Sequence, residues 1–245
     1  TRVAEKLGEV KASGARVDYI TFVPDGEPTL DDELGAEIKL LKGLGLPVAM
    51  ITNSSLLWRA DVRKDLAEAD LVSVKVDALD EGLWRRINRP HRQLALQRVL
   101  EGIEDFARGF KGTLISETMA LGGVEQDFGG VADFLARLDG LEGAYISTVT
   151  RPPAEGWVSP AAEETLRAAE GAFSERLGKG RVTVLAHHEG DLPSRCHIND
   201  GVEAVLGIVS VHPLREDVAR RYLADAGLKW EIIEKLIEKG KVTVT

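Results

Sequence analysis

The sequence predicts an α/β fold in which parallel β-strands alternate with helices, either as a βα barrel or as a doubly wound sheet. First, short apolar runs recur along the chain with little polar alternation, which suits parallel strands covered on both faces. Second, the stretches between them carry apolar residues at helical spacing. Third, glycine and proline cluster where helices would end. Strands that alternate with helices in this way are typical of both architectures.

The apolar runs predict the strands of this sheet. They lie near residues 17–23, 48–52, 71–76, 113–119, 145–149 and 182–186. The predicted helices fill the intervals, and residues 31–44 show the pattern well because Leu34, Ile38 and Leu41 fall on one helical face. Further helices are predicted at residues 1–15, 81–87, 94–110, 128–138 and 161–177. Helix ends are marked by Gly43, Gly45, Pro47, Gly112 and Gly143.

The pattern changes near residue 198. Helical runs at residues 201–209, 215–224 and 229–238 are followed by a predicted strand at residues 240–245. We therefore expect a βα domain over residues 1–197 and a small helical, winged-helix-like domain over residues 198–245. Packing or protein contact is the expected role of the small domain, and nucleic-acid binding is the alternative.

Composition excludes several classes of protein. The chain has 245 residues, of which 44% are hydrophobic and 29% charged, as expected for a globular protein with one sizeable core and an appendage. Its one cysteine, Cys196, excludes an internal disulfide framework and an all-cysteine metal site. A net charge of −9 disfavours a broad nucleic-acid surface. No membrane-length apolar run and no signal peptide are present, so we expect a cytoplasmic protein.

Polar residues follow or end the predicted strands, and this periodic placement is the main functional signal. In a βα barrel the carboxyl ends of all strands converge on one rim, where ligands bind. A carboxylate there can accept hydrogen bonds from an ammonium group or a ribose hydroxyl. The residues concerned are Gly26, Glu27, Pro28, Asn53, Lys75, Asp77, Glu117 and Arg151.

Several of these residues also have a structural interpretation. Asn53 could cap the following helix, and Asp77 could cap the helix that contains residues 81–87. Glu117 lies inside an apolar strand, where an unpaired carboxylate is costly, so it needs a partner or a ligand. Lys75 either pairs with a carboxylate across the barrel interior or serves the substrate.

Two further clusters carry polar side chains. In the run of residues 87–91, Arg89 and His91 could bind an anionic substrate or a phosphate, and the alternative is a structural turn set by Pro90. A second cluster follows the last strand and consists of His187, His188, Glu189, Cys196 and His197. Its spacing does not match a usual zinc site, and Cys196 has no placed base that would make it a nucleophile.

Taken together, these motifs resemble radical SAM enzymes, in particular a group of Fe–S oxidoreductases related to the wyosine tRNA-modifying synthases. The resemblance rests on residues 18–30, 51–57, 69–78, 87–91, 117–124 and 151–153, and residues 211–216 fit a subgroup with a carboxy-terminal extension. It implies a partial (β/α)6 TIM-like barrel.

The resemblance also implies a role for each site residue. Gly26, Glu27 and Pro28 would bind the methionyl ammonium of S-adenosylmethionine (SAM). The residues that would line the SAM site are Asn53, Asp77 and Glu117. The residues that would contact the substrate are Lys75, Arg89, His91 and Arg151.

The implied activity is radical chemistry on SAM. A [4Fe–4S] cluster would deliver one electron to SAM, and the resulting 5′-deoxyadenosyl radical would abstract a substrate hydrogen. A reductant such as ferredoxin or flavodoxin would supply the electron. The substrate would be a small molecule or a nucleotide, with a tRNA base disfavoured by the acidic charge.

This chain departs from the family pattern in two places. The Cys-x3-Cys-x2-Cys loop that holds the cluster is absent, so we expect the chain to begin just after that loop, to lack the first strand of the barrel and to be inactive alone. The loop over residues 121–127 lacks the asparagine usually found before its aspartate.

Two alternatives remain at this stage. One is a cluster-free binding or scaffold protein that keeps the barrel without redox chemistry. The other is a phosphate-binding βα-barrel enzyme, which predicts a glycine-rich loop near the last strands. The available candidate at residues 188–190 is acidic, which disfavours phosphate binding there.

Overall fold

The structure is a computed structural model of the chain. It describes residues 2–12, 14, 16–22, 26–150, 152–185, 202, 206, 209, 214, 216–225 and 227–243. Contacts divide the chain into two compact units, one of residues 17–149 and 158–186, the other of residues 1–16, 150–157 and 187–245. Each unit is described by itself below.

The larger unit contains the whole sheet. The strands are β1 (Ile20–Phe22), β2 (Val48–Thr52), β3 (Leu71–Lys75), β4 (Thr113–Ala120), β5 (Leu141–Thr148) and β6 (Val182–Leu185). Its helices are α2 (Leu34–Lys42), α3 (Ala60–Leu66), α4 (Glu81–Asn88), α5 (Leu96–Gly109), α6 (Phe128–Ala136) and α7 (Glu163–Leu177). The smaller unit contains α1 (Arg2–Ala12), α8 (Glu216–Asp225) and α9 (Glu231–Glu238).

The six strands pair in sequence order, β1 to β6, and every pair is parallel. A doubly wound sheet reverses its strand order at a switch point, whereas a barrel adds each strand beside the preceding one. The sequential order therefore decides between the two predicted architectures in favour of a TIM-like barrel. Among the described residues β1 pairs with β2 alone and β6 with β5 alone, so the barrel is partial, as predicted.

One face of the sheet forms the core with the helices, and the other face is partly open. In β4 the burial alternates at every residue, so that Leu114, Ser116 and Thr118 are buried while Ile115 and Glu117 are half-buried. Ile51 of β2, on the open face, is 48% exposed. The expectation that the strands are covered on both faces is therefore wrong for this part of the sheet, because the described residues leave its open face uncovered.

The largest differences from the predicted elements are a helix that was not predicted and a strand that begins earlier. Helix α3 is not among the predicted helices, because only Val62 and Leu66 of its seven residues are buried and the apolar pattern is correspondingly short. Strand β5 begins at Leu141, before the predicted start at residue 145, because parallel pairing with β4 extends that far along the chain. Gly143 consequently lies inside a strand rather than at a helix end.

The smaller unit has an apolar core of its own around Leu223 and Ile233. The predicted strand at residues 240–245 is not present at residues 240–243, the part that the structure describes. Gly240 has a φ of 66°, and the amide of Lys241 donates to the carbonyl of Leu236 at 2.9 Å, which ends α9 in a Schellman cap. Most of the predicted helix at residues 201–209 lies outside the described residues. Within the described ranges, no helix has both the length and the apolar character of a membrane span.

Close packing of α5 under the loop after β2 positions that loop. A Cβ atom placed on Gly102 would lie 2.3 Å from the backbone nitrogen of Trp58 and 2.7 Å from the carbonyl oxygen of Leu57. Both atoms belong to the backbone and cannot rotate away as a side chain could. The glycine therefore permits the close approach that holds Trp58 in place.

We predict that Gly102→Ala lowers the free energy of unfolding by about 2 kcal/mol, because the added methyl group overlaps this backbone. Urea unfolding measures the change. Gly171→Ala is the matched control, since Gly171 is an exposed residue of α7 and its added Cβ would meet nothing within 4 Å. That control should raise stability by up to about 1 kcal/mol through helix propensity. Equal effects of the two substitutions would contradict the packing described for α5.

Candidate functional site

The carboxylate of Glu27 joins the end of β1 to the end of β2. Its Oε1 accepts hydrogen bonds from the Thr29 amide at 3.2 Å, the Thr29 hydroxyl at 2.7 Å and the Thr52 hydroxyl at 2.5 Å. Its Oε2 accepts from the Asn53 amide at 2.7 Å. Glu27 also caps the short 3-10 helix Pro28–Leu30. The side chain is therefore fixed by four donors from two strand ends.

This arrangement leaves Glu27 able to bind one more donor. A carboxylate offers about four lone-pair directions, and three of the four donors use Oε1, so Oε2 keeps acceptor capacity. In the described part of the chain, no Lys, Arg or His lies within ion-pair distance of Glu27. Glu27 lines two cavities, described below. It is thus a half-buried carboxylate without a protein counter-ion, oriented at the rim of the barrel.

Lys75 lies between two carboxylates on the neighbouring strand ends. Its Nζ is 3.3 Å from Asp77 Oδ1 and 3.5 Å from Glu117 Oε1, and Lys75 and Glu117 are register partners in β3 and β4. Burial lowers the pKa of Lys75, but the two carboxylates outweigh burial and hold that pKa above its ordinary value of 10.5. The prediction that Lys75 pairs with carboxylates across the barrel interior is confirmed, and a role toward the substrate stays a prediction.

Asp77 is enclosed by protein donors. Its side chain has 0% exposure, its Oδ1 also accepts from the Met119 amide at 2.7 Å, and its Oδ2 accepts from Asn88 Nδ2 at 2.6 Å. The alternative that Asp77 caps α4 is wrong, because Asp80 lies closer to the helix start and accepts from the Leu83 amide at 2.7 Å. Direct contact of Asp77 with a cofactor stays a prediction.

Glu117 and Asn53 present polar groups to the open side of the site. Glu117 is 30% exposed and accepts from the Ser147 hydroxyl at 2.9 Å, so it has the partner that its strand position requires. Asn53 Oδ1 accepts from the Ser55 amide at 2.9 Å in a local turn, and the alternative that Asn53 caps the following helix is wrong, because α3 begins at Ala60 with Arg59 at its N-cap. Its backbone amide, rather than its side chain, holds Glu27.

Two cavities bring most of the predicted residues together. A cavity of about 280 Å³ is lined by Gly26, Glu27, Asn53, Lys75 and Glu117, among others. A second cavity of about 570 Å³ shares Glu27 and Asn53 with it and has Arg89 and His91 in its wall. The predicted substrate residue Arg151 lies outside the described residues, as does the cluster formed by His187, His188, Glu189, Cys196 and His197.

Several predicted site residues are oriented by side chains that the sequence did not identify as site residues. Thr52 and Asn88 hold Glu27 and Asp77, and both stand inside motifs that the sequence singles out. Gln126 occupies the position where the family pattern has asparagine. Its Oε1 accepts from the Leu121 amide at 2.8 Å, and its Nε2 donates to the Met119 carbonyl at 2.8 Å. The longer amide side chain therefore secures the loop after β4.

A metal centre is not found in the part of the chain that the structure describes. Those residues include no group of three or more His, Cys, Asp or Glu side chains that could hold a metal ion. A [4Fe–4S] cluster is held chiefly by cysteine thiolates, and this sequence has one cysteine. The residues present therefore do not fit an iron–sulfur cluster.

Comparison with known proteins supports the resemblance derived from the sequence. The family model described as "Radical SAM superfamily" matches residues 1–135. A UPF0026 protein of Methanocaldococcus jannaschii is 41% identical over 244 residues, which cover 98% of this chain and 74% of that protein. A UPF0026 protein of Helicobacter pylori strain J99 is 25% identical over 233 residues, covering 93% of this chain and 72% of that protein.

Solved structures show the same fold. Archaeal TYW1 superposes with a TM-score of 0.53 at 17% identity, over 71% of this chain and 56% of that one. A radical SAM methyltransferase from Sphaerobacter thermophilus superposes with a TM-score of 0.54 at 18% identity, over 73% of this chain and 54% of that one. At this level of identity the likeness concerns the fold.

We predict that Lys75→Met lowers the free energy of unfolding by about 3 kcal/mol at pH 7, because it leaves the enclosed Asp77 carboxylate without its cation. Urea unfolding measures this value for both proteins. Lys39→Met is the control, since Lys39 is 62% exposed and pairs with Glu68 at the surface. Its expected effect is below about 1 kcal/mol.

The difference in free energy of unfolding between the wild type and Lys75→Met should also depend on pH, which gives a second, independent check. The pKa of Lys75 is higher in the folded state than in the unfolded state. The stabilisation that charged Lys75 provides is therefore complete below about pH 10, and it is lost as the pH rises through the folded-state pKa. The gap between wild type and Lys75→Met should therefore stay constant from pH 7 to about pH 10 and shrink above it. A gap that already narrows below about pH 9 would show that the carboxylates do not raise this pKa.

Proposed function

The chain belongs to the radical SAM superfamily, and on this premise we propose that it forms the SAM-binding body of a radical SAM enzyme. The observation that supports this function best is the Glu27 carboxylate, fixed by four hydrogen bonds and without a protein counter-ion among the described residues. A ligand ammonium would supply the missing donor.

The residues around Glu27 fit the methionyl end of SAM. Its Oε2 retains acceptor capacity toward the cavities, and a charge-assisted hydrogen bond to an ammonium is among the stronger polar contacts in proteins. Gly26 lines the smaller cavity without a side chain, and the space where its Cβ would lie is open, with nothing within 4 Å. Thr52 and Thr29 hold the carboxylate in place before the ligand arrives, so little ordering is needed on binding.

SAM, when bound together with an iron–sulfur cluster, would supply radical chemistry that removes a hydrogen atom from the substrate. Since the chain has one cysteine, the cluster ligands of the working enzyme would come from outside residues 1–245. The part of these residues is to bind and orient: Glu27 holds the ammonium, and the Lys75–Glu117 pair presents a charged group to the same cavity.

The remaining assignments belong to the same proposal. Asn53 and Glu117 would line the SAM site, with the enclosed Asp77 supporting the rim behind them, and Arg89, His91 and Arg151 would contact the substrate together with Lys75. The substrate would be a small molecule or a nucleotide, with a tRNA base disfavoured by the net charge of −9. A ferredoxin- or flavodoxin-type reductant and a cytoplasmic location complete the proposed setting.

The test uses the complete gene product after anaerobic iron–sulfur reconstitution, with dithionite, SAM and an assay for 5′-deoxyadenosine. We expect 5′-deoxyadenosine to form and Glu27→Gln to lower both its rate of formation and SAM binding roughly 10- to 100-fold, because one charge-assisted hydrogen bond is lost. Glu33→Gln is the control, since Glu33 is exposed and its side chain makes no capping hydrogen bond. Thermal unfolding establishes that both variants fold.

Two outcomes would contradict the proposal. The first is a folded protein with an intact cluster that forms no 5′-deoxyadenosine, which would favour a binding or scaffold protein. The second is a Glu27→Gln variant that binds and cleaves SAM as the wild type does, which would move the ammonium site elsewhere.

A further inference from the structure

The cavity of about 570 Å³ has tryptophans in its wall and exposed basic side chains at its mouth. Trp84 is 6% exposed and Trp58 is half-buried, whereas Arg89, His91 and Arg98 are exposed. This volume lies within the range of small-molecule sites, which are mostly apolar with a few placed polar groups. The cavity therefore suits a ligand with a flat apolar part and an anionic part.

The guanidinium of Arg98 is available to a ligand. The guanidinium of Arg98 lies 3.6 Å from the centroid of the Trp58 ring, and no carboxylate in the described part of the chain lies within ion-pair distance of it. Arg85, by contrast, is held by Glu81 at 2.7 Å. His91 Nδ1 accepts from the Gln93 amide at 3.4 Å, so a neutral His91 carries its proton on Nε2 and can donate from there.

Two residues that line this cavity each have a buried polar atom without a hydrogen-bond partner among the described residues. Trp58 Nε1 and Asn88 Oδ1 are both buried and unpaired among the described residues. The amide of Asn88 is oriented by its Nδ2 bond to Asp77, so the free atom is the acceptor oxygen. An unpaired buried polar group costs about 1–3 kcal/mol, and a ligand that paired with these atoms would remove that cost.

The backbone at Arg89 adds a further observation. Arg89 ends α4 with a φ of 48° and a ψ of 50°, a left-handed conformation that glycine adopts more readily. Such a conformation in a residue with a side chain persists where its surroundings fix it, and it is frequent at ligand sites. The segment that follows this left-handed residue lines the cavity with most of its residues from 89 to 95.

From these observations we infer that this cavity binds a mononucleotide, with the base among the tryptophans and the phosphate at the cationic mouth. The donor Trp58 Nε1 and the acceptor Asn88 Oδ1 would pair with the edge of the base once neighbouring side chains shift, since both atoms are closed to solvent. Stacking on aromatic rings and contacts between arginine and phosphate are the usual means of holding such a ligand. The inference names the substrate class of the proposed enzyme and rests on that proposed function.

A mononucleotide fits the site better than SAM or nucleic acid does. SAM has no phosphate for the arginines at the mouth to bind, and its sulfonium, ammonium and carboxylate together leave it with a net positive charge. A nucleic acid needs an extended basic surface, and this chain has a net charge of −9. Glu27 and Asn53 line both cavities, so the two ligands would lie side by side.

The test is calorimetric titration of the chain with AMP, GMP, CMP and UMP. Adenosine, which has the base but no phosphate, and inorganic phosphate, which has no base, serve as fragment controls. We expect at least one mononucleotide to bind more tightly than either fragment. Arg98→Ala should weaken that binding about 10-fold or more through loss of a charged hydrogen bond. Trp58→Phe, which keeps a ring but removes the donor, should weaken it several-fold.

The control variant is Arg137→Ala. Arg137 stacks on Phe134 at 5.5 Å, as Arg98 stacks on Trp58, but it does not line the cavity. Nucleotide binding should be unchanged in this variant, and thermal unfolding identifies any variant that has lost its fold.

Each contrary result overturns the inference in a distinct way. Binding of no mononucleotide, or binding that ignores both Arg98→Ala and Trp58→Phe, excludes a nucleotide site here. Equal binding of adenosine and SAM, with loss of both in Trp58→Phe, would assign the cavity to the adenosyl group of SAM. Arg98-dependent binding of a short RNA without any mononucleotide binding would assign it to nucleic acid.

The proposed function fails separately from this inference. If SAM binding depends on Glu27 but no nucleotide binds, the proposed SAM site is supported and only the proposed substrate class is rejected. Conversely, a folded, cluster-containing protein could bind a nucleotide through Arg98 and form no 5′-deoxyadenosine. That result would support the nucleotide site in the cavity and contradict the proposed radical SAM reaction.

Discussion

All six strands of the sheet run in the same direction, and this constraint decides which residues of the chain can meet. Parallel strands in sequence order bring their carboxyl ends to one rim, so side chains far apart in sequence become neighbours. Glu27 and Thr52 are joined across β1 and β2, and Lys75 and Glu117 across β3 and β4. The site is therefore a property of the strand order, and the helices contribute by fixing the strands and the loops that follow them.

The carboxylates at this rim have different tasks because their surroundings differ. Asp77 is enclosed, and its oxygens are used by Lys75, Asn88 and a backbone amide, so it stabilises the arrangement of the rim. Glu27 is half-buried and lacks a protein cation among the described residues, so it can take a cationic ligand. Asn88 links the two parts of the site, since it orients Asp77 with its nitrogen and is one of the residues that line the larger cavity, with its unpaired oxygen closed to solvent. A ligand in that cavity would thus act on the same network that positions Lys75.

The sequence predicts much of this fold because each strand is an apolar run and each strand end carries a polar residue. It identifies Glu27 and Asp77 as rim residues for that reason. It does not identify their partners, because hydrogen bonds between distant segments depend on register and loop shape rather than on local pattern. Two acidic residues, Asp77 and Asp80, stand near the start of α4, and only the structure shows that Asp80 is the cap. The aromatic cavity was missed because Trp58 and Arg98 lie on different elements and belong to no common motif.

The most direct test of the central claim is a crystal structure of the complete protein with SAM bound. The account predicts the methionyl nitrogen within hydrogen-bond distance of Glu27 Oε2, with the contacts of Glu27 to Thr29 and Thr52 retained. It also predicts that the cavity lined by Trp58 and Arg98 stays free of SAM. An ammonium bound at Glu117 instead, or an adenosyl group placed against Trp58, would contradict the account.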